Sequence, residues 1–319
     1  MPDLFVSWVR FHGRSQGIAE LLGCEPVFVA VGRSGNRWTV PLRYARQAVQ
    51  TVALLRRRRP GVVVVMGPPL ALAALCVVFH RGVLVLDAHT GAVLRSGKVR
   101  PLFLRLARRA DVVVVASETL AAHVATRGIP ALAIHDPISG FGDASGSETT
   151  RSRHQNVVFP AGWRSDEPMD ALLGAATLVP DVEIAITGRP PTGLNVPANV
   201  RLTGFVSDDE YETLVAGAGA VLALTTRSLT MQRAGYEAMA HGRPLVASDT
   251  DVLREFFTGG TVFAQPTAES LAAAITDVLA RGDVLAEEMA ALREHRVVAD
   301  GRAIAALKAA IAARAAETG

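Results

Sequence analysis

Glu237 stands in the apolar run Tyr236-Glu237-Ala238-Met239-Ala240. Good helix formers follow it, Gly242 ends the helix, Pro244 forbids its continuation, and residues 245–247 read as a small buried strand. Surface solvation does not explain a carboxylate placed there. A carboxylate in a cleft is suited to accept two hydrogen bonds from the vicinal hydroxyls of a ribose. A second constellation is Asp87-Ala88-His89-Thr90-Gly91, at the end of the apolar run 83–86. Ligands bind at the carboxyl edge of open α/β sheets, and an Asp and a His arriving there together can carry chemistry. The competing explanation is a His that merely caps the next helix.

The elements that must position these residues follow from hydrophobic period. Short continuous Val/Leu runs at 4–8, 26–31, 62–65, 83–86, 112–115 and 131–134 alternate with helical patterns at 16–22, 44–58, 70–79, 101–109 and 118–127. Such strands belong to a parallel sheet covered on both faces. Residues 139–156 are rich in Gly, Ser, Thr, Asp and Arg, lack apolar periodicity and read as a linker. The alternation then restarts, with strands at 157–159, 183–187, 200–203, 221–224, 245–247 and 261–263. Helices fall at 167–178, 207–216, around Glu237, at 251–256 and at 268–281. Ser207 with Glu210 three residues on is a capping box. From 285 onward the chain is helical, with a break expected at 297–301. The expected organisation is an N-terminal Rossmann-like domain (1–138), a linker (139–156), a second Rossmann-like domain (157–295) and a helical tail (296–319) returning to the first domain.

Composition narrows the function. The 319 residues are half hydrophobic with 5% aromatics, and the net charge is +3. Arg56-Arg57-Arg58-Arg59 and the set Arg95, Lys98, Arg100, Arg105, Arg108 and Arg109 concentrate positive charge in the first half. Either these are solvated helix faces or they attract anionic lipid or a polyprenyl-diphosphate acceptor. Phe103 is the single aromatic residue among them, too few for a stacking platform, which argues against nucleic acid. Cys24 and Cys76 lack metal-ligand spacing and read as unpaired thiols of a reducing compartment. No metal cluster is expected. No apolar run is long enough to span a bilayer, so a cytoplasmic protein is expected, at most peripheral on the inner face of the plasma membrane. There is no Gly-x-x-x-x-Gly-Lys-Ser/Thr loop and no Gly-x-Gly-x-x-Gly after a strand. ATPase and nicotinamide chemistry lose support accordingly.

From Glu237 to Ser248 the chain reads Glu-Ala-Met-Ala-His-Gly-Arg-Pro-Leu-Val-Ala-Ser. This resembles the donor-binding element of retaining GT-B glycosyltransferases, particularly family 4 (group 1). Residues 158–168, 186–189 and 199–206 resemble further parts of that family's donor domain. The resemblance implies an α/β fold of GT-B architecture, two Rossmann-like parallel domains facing each other across a cleft. It gives Glu237 the nucleotide ribose. The family's earlier acid falls on Leu229, and Thr230, Gln232 and nearby backbone amides are candidates to replace it. Arg164 stands near the family's diphosphate-binding Arg, but no Lys follows before Lys308. Arg233 and Arg189 are candidates to fill in, an ion pair with Glu237 competing for the first and an exposed turn for the second. Gly13 and Arg14 occupy the place of the family's glycine-rich loop, where Arg14 can meet a phosphate. His89, oriented by Asp87, is placed near the transferred sugar.

The expected function is transfer of a sugar from a UDP- or GDP-sugar, with retained configuration and no required cofactor. The acceptor would be a cell-envelope or polysaccharide precursor or a small molecule. Two alternatives stand beside it: a nucleotide-sugar epimerase or hydrolase on the same fold, and a non-catalytic GT-B-like binding subunit.

Overall fold

The computed structural model describes residues 2–32, 40–94, 99–138 and 155–318. The chain forms two compact units, Met1–Pro137 with Ala299–Gly319, and Ile138–Val298. All but the last two residues expected as linker lie outside the described residues, as do Arg95 and Lys98; Asn156 already opens a strand.

In the first unit the strands are β1 (Leu4–Ser7), β2 (Glu25–Phe28), β3 (Val62–Gly67), β4 (Val83–Ala88), β5 (Val112–Val115) and β6 (Leu132–Ala133). They lie in the order β2-β1-β3-β4-β5-β6, every pairing parallel. The unbroken valine runs reflect burial on both faces: β3, β4 and β5 are buried at every position. One face packs Leu72, Leu86, Phe103 and Leu120, the other Phe5, Ile18, Ile304 and Leu307. The order reverses between β1 and β3, the switch point at which crevices form in doubly wound sheets.

Helix α1 spans Gly13–Leu22, one turn earlier than the apolar pattern suggested. His12 caps it through its side chain, and Gly23 stops it with φ at +73°. The loop expected around Gly13 is therefore helix, which matters for Arg14 below. The other helices of this unit are α2 (Val40–Arg58), α3 (Leu70–Phe79), α4 (Thr90–Val93), α5 (Val99–Ala107) and α6 (Glu118–Ala125).

The second unit carries β7 (Asn156–Phe159), β8 (Glu183–Thr187), β9 (Val200–Gly204), β10 (Ala220–Ala223), β11 (Leu245–Ser248) and β12 (Thr261–Ala264). Their order is β12-β11-β10-β7-β8-β9, again all parallel. Its switch point lies between β7 and β10. Helices α7 (Met169–Leu178), α8 (Asp208–Ala216), α9 (Arg233–Ala240), α10 (Asp251–Phe256) and α11 (Ala268–Ala280) cover the two faces. The capping box of Ser207 and Glu210 forms as read from sequence.

The last helix, α12, runs unbroken over Gly282–Thr318. No break occurs at 297–301. That stretch has no proline, and a single glycine inside a helix costs only about 1 kcal/mol, which flanking burial offsets. Leu285, Met289 and Leu292 of α12 belong to the core of the second unit, Ile304 and Leu307 to that of the first.

Candidate functional site

The second unit holds a cavity of about 320 Å³ at the carboxyl ends of β7, β8 and β9. Gly162 follows β7, Thr187 ends β8 and Gly188 follows it, Phe205 follows β9, and Tyr211, Arg233 and Glu237 reach in from α8 and α9. The glycines are there for backbone reasons. Gly188 has φ at +83°, and a Cβ on it would lie 2.3 Å from the Ala161 carbonyl oxygen. Only glycine lets the β8 turn pass so close to the loop after β7.

Glu237 is buried in the second turn of α9 and faces this cavity. Tyr211 donates its hydroxyl to Glu237 Oε2, and the Arg233 Nε–H donates to Oε1 at 2.9 Å. Burial pushes the Glu237 carboxyl above its ordinary range, against the opposing pull of Tyr211 and Arg233. Burial and the adjacent carboxylate in turn raise the Tyr211 phenol, so it remains a donor. The ion pair with Arg233 is the i,i+4 pair weighed from sequence, and Arg233 is half exposed while its partner is buried. A carboxylate whose present partners are two hydrogen-bond donors is chemically matched to the hydroxyls of a sugar.

The remaining residues expected at the donor site are placed as follows. Gln232 lines the cavity, and its side-chain amide donates to the Leu224 carbonyl at 3.2 Å. Thr230 lies off the cavity, its Oγ1 buried with no hydrogen-bond partner. Arg164 is exposed beside Gly162: a Cβ on that glycine would lie 3.2 Å from the Arg164 Nε. Arg189 is an exposed turn residue, as its competing explanation had it, with its guanidinium 5.9 Å from the Phe205 ring centroid. Phe205 itself is 79% exposed at the cavity edge.

The loop after β7 is held by Glu167, whose carboxylate accepts from the backbone N–H groups of Gly162 (2.9 Å) and Arg164 (3.1 Å). Glu167 thus precedes α7 instead of opening it. Buried Asp166 ties this loop to the one after β10, accepting from Thr225 Oγ1 at 3.2 Å while its carbonyl accepts from Thr226 N at 2.7 Å. Arg227 stands 3.3 Å from the same carboxylate. Tyr211, Phe205 and Asp166 were not singled out from sequence. Tyr211 lies 26 residues from Glu237 with no motif joining them, and the capping box of its helix was the only legible signal.

The other sequence-derived residues gather in the first unit. Arg14 is 2% exposed and does not reach solvent, where a phosphate would have to meet it. Its guanidinium binds Asp87 (2.8 Å), Asp136 (3.0 Å) and the Ile134 carbonyl (2.6 Å). The early start of α1 turns Arg14 inward, with Gly13 as the first helical residue. Burial alone would raise the Asp87 carboxyl, but Arg14 and then His89 outweigh it and hold it well below the usual carboxylate range. His89 Nε2 lies 3.0 Å from Asp87 Oδ2. Although His89 is the N-cap residue of α4, its side chain makes no cap hydrogen bond. Helix capping therefore does not account for it.

His12, another residue not singled out, packs its ring against that of His89 with centroids 4.9 Å apart. His135 Nε2 lies 2.9 Å from the Glu118 carboxylate. A smaller apolar cavity of about 180 Å³, lined by Tyr44, Pro68, Pro69, Leu70, Ala92 and Leu102, lies in the same unit.

Cys76 is buried and Cys24 half-buried; burial pushes their thiols up to about 12 and about 11. Among the described residues no group of three or more His, Cys, Asp and Glu side chains is placed to hold a metal ion. Among the same residues, no helix is long and apolar enough to cross a membrane.

Residues 142–281 match the family model described as glycosyl transferases group 1. No curated protein matches the chain in sequence. Its fold is similar to that of Anabaena Alr3699/HepE, solved with UDP-glucose (TM-score 0.71, 15% identity, 96% of this chain and 99% of that one). It is also similar to a sucrose-phosphate synthase from Thermosynechococcus elongatus (TM-score 0.73, 13% identity, all of both chains). A third likeness is to a UDP-GlcNAc 2-epimerase from Methanocaldococcus jannaschii (TM-score 0.57, 14% identity, 87% of this chain and 92% of that one). At such identities the likeness is one of fold, and that fold, two Rossmann-like parallel α/β units in one chain, is GT-B.

Proposed function

We propose that this chain, a GT-B glycosyltransferase carrying a group 1 glycosyl transferase domain over residues 142–281, moves a sugar from a nucleoside diphosphate sugar to a hydroxyl of an acceptor. The observation that carries this reading is Glu237. It is a buried carboxylate at the carboxyl edge of a doubly wound sheet, facing a cavity of about 320 Å³ and partnered by Tyr211 and Arg233. The ribose hydroxyls bind Glu237. The diphosphate meets Arg233, with Arg164 at the exposed end of the loop after β7 and Arg189 beyond Phe205. Gln232 and Thr230 lie on the loop leading into α9, toward the sugar. The second unit is the donor domain and the first the acceptor domain, where Asp87 orients His89 toward the substrate. UDP is the favoured nucleotide, since the solved Anabaena protein of this fold holds UDP and UDP-glucose.

Retention of configuration is the outcome that the family resemblance supports, with the leaving diphosphate acting as base. Such a reaction needs positioning and electrostatics and no protein nucleophile or metal. The acceptor is a cell-envelope or polysaccharide precursor, or a small molecule. The basic ends of α2 (Arg56, Arg57, Arg58) and α5 (Arg105) favour an anionic or lipid-linked one at a membrane surface.

Calorimetric titration with UDP, GDP and their sugar conjugates tests the donor site. Micromolar binding of one nucleotide is expected, weakened about 100-fold or more in Glu237→Ala, because two hydrogen bonds to a charged group are lost. Equal affinity in the variant would remove Glu237 from the site. A second reading, epimerisation of the nucleotide sugar, has the support of the epimerase likeness in fold. It predicts a changed sugar still attached to nucleotide without any acceptor, which product analysis separates from transfer.

A further inference from the structure

The buried Arg14–Asp87 pair, the Asp87–His89 contact and the His12–His89 stack lie together, and their hydrogen bonds decide where each imidazole proton sits. A carboxylate only accepts, so the 3.0 Å contact of His89 Nε2 with Asp87 Oδ2 requires the proton on Nε2. The His89 lone pair is then on Nδ1, which has no hydrogen-bond partner among the described residues. His12 is fixed the other way round. Its Nδ1 accepts from the Ser15 backbone N–H at 3.3 Å and lies 3.2 Å from Ser15 Oγ. Ser15 Oγ itself accepts from Ser7 Oγ at 3.0 Å, leaving its own proton free for His12. His12 therefore carries its proton on Nε2, as a donor. Burial, and then His89, hold His12 neutral down to about pH 4, so this arrangement persists at working pH. The two half-buried rings thus offer one donor and one acceptor side by side, on the segments that follow β1 and β4. Nothing in the packing of α1 requires the Nε2–H of its capping residue.

We infer that His12 and His89 form a binding site for one hydroxyl group of a sugar or polyol, the His12 Nε2–H donating to its oxygen and His89 Nδ1 accepting its proton. A hydroxyl is a donor and an acceptor on one atom, and this is the group that such a pair complements. The inference deepens the glycosyl-transfer reading, on which it rests for the claim that the hydroxyl belongs to the acceptor. It assigns His12, so far only a helix cap, a contact with substrate. Arg14 and Asp87 act behind it as positioning residues: Arg14 keeps Asp87 ionised, and Asp87 keeps the His89 lone pair on Nδ1.

The test is nuclear magnetic resonance of the imidazole nitrogens in the full chain with labelled histidine, titrated with methyl α-D-glucopyranoside and with glycerol. Both rings are expected as Nε2–H tautomers, with the His89 Nδ1 signal shifting on addition of either probe. In His12→Asn the cap is kept, since Asn is among the best N-cap residues, but the Nε2–H is gone. The His89 response should then fall by at least about tenfold, the factor that one hydrogen bond carries, while UDP titration of the same sample stays unchanged. A His12 proton on Nδ1, no response of either ring, or a His89 response undiminished in the variant would each overturn the site. Failure of the wild-type chain to bind UDP would overturn the donor reading instead, and the ring response would still decide the hydroxyl site on its own.

Discussion

Both units place a buried carboxylate at the carboxyl end of a parallel sheet, yet the two acids are set for opposite tasks. Asp87 faces a fully buried guanidinium and an imidazole, and its carboxyl is held far toward the ionised form. Glu237 faces a neutral phenol and a half-exposed Arg, and burial wins over both, so its carboxyl is raised. The difference teaches that burial alone does not define an acid's role. A like-buried cation turns the acid into an internal counter-ion that orients a neighbour, whereas polar donors near an open cavity leave it adjustable and available to a ligand.

The sharpest way to break this comparison is to remove each acid's cation. Arg14→Met would leave Asp87 and Asp136 without it and should cost about 3–5 kcal/mol, read as a lower midpoint in urea unfolding. Arg233→Met should cost far less, about 1 kcal/mol, because Arg233 is half exposed and Tyr211 still donates to the buried Glu237. Equal losses would mean that the two acids do not differ as described.

Acid should also act on the first unit through His12. Its folded pKa, about 4, lies below the unfolded value near 6.5, so the unfolded chain takes up the proton first. Stability owed to the neutral ring is complete above pH 6.5 and falls as pH drops toward 4, by up to about 3 kcal/mol. His89, Asp136, Asp87 and Arg14 are the charged or titratable groups bearing on it. Urea unfolding at pH 7 and pH 4.5 should show this decline in the wild type and a smaller one in His12→Asn. A parallel decline in both would assign it elsewhere.

Gly188→Ala should cost about 2–3 kcal/mol, from a left-handed residue pressed on the Ala161 carbonyl. Because that strain sits at the Glu237 cavity, nucleotide affinity should fall with it in calorimetry; a neutral substitution would show that the turn has room. The smallest effect concerns Tyr211→Phe. Losing one donor to Glu237 should weaken nucleotide binding about fivefold to tenfold. It should also move the acid limb of binding to higher pH, because the hydrogen bond that favours the ionised carboxyl is gone. An unchanged pH profile would remove Tyr211 from the control of Glu237.

Much of this was legible in the sequence because the relevant physics is local. The period of the valine runs gave two parallel sheets, and Gly242 with Pro244 bounded the helix of Glu237. Ser207 with Glu210 marked the start of α8, which came out as read. The local reading failed where weak signals compete. Helix α1 began a turn early because His12 caps it. Helix α12 ran through 297–301 because Gly301 alone is too mild a breaker.

What the sequence by itself determined was the alternation of elements, the presence of Asp87 and His89 at a strand end, and Glu237 in an apolar helix. Only the tertiary structure decided what those groups touch. Arg14 and Asp87 are 73 residues apart, and Tyr211 and Glu237 are 26 apart. No local pattern records such pairings, because they are fixed by which strands neighbour one another and which way each helix turns its face. That is why Arg14 read as a phosphate ligand and proved to be a buried counter-ion, and why His12 was invisible until its ring lay against that of His89.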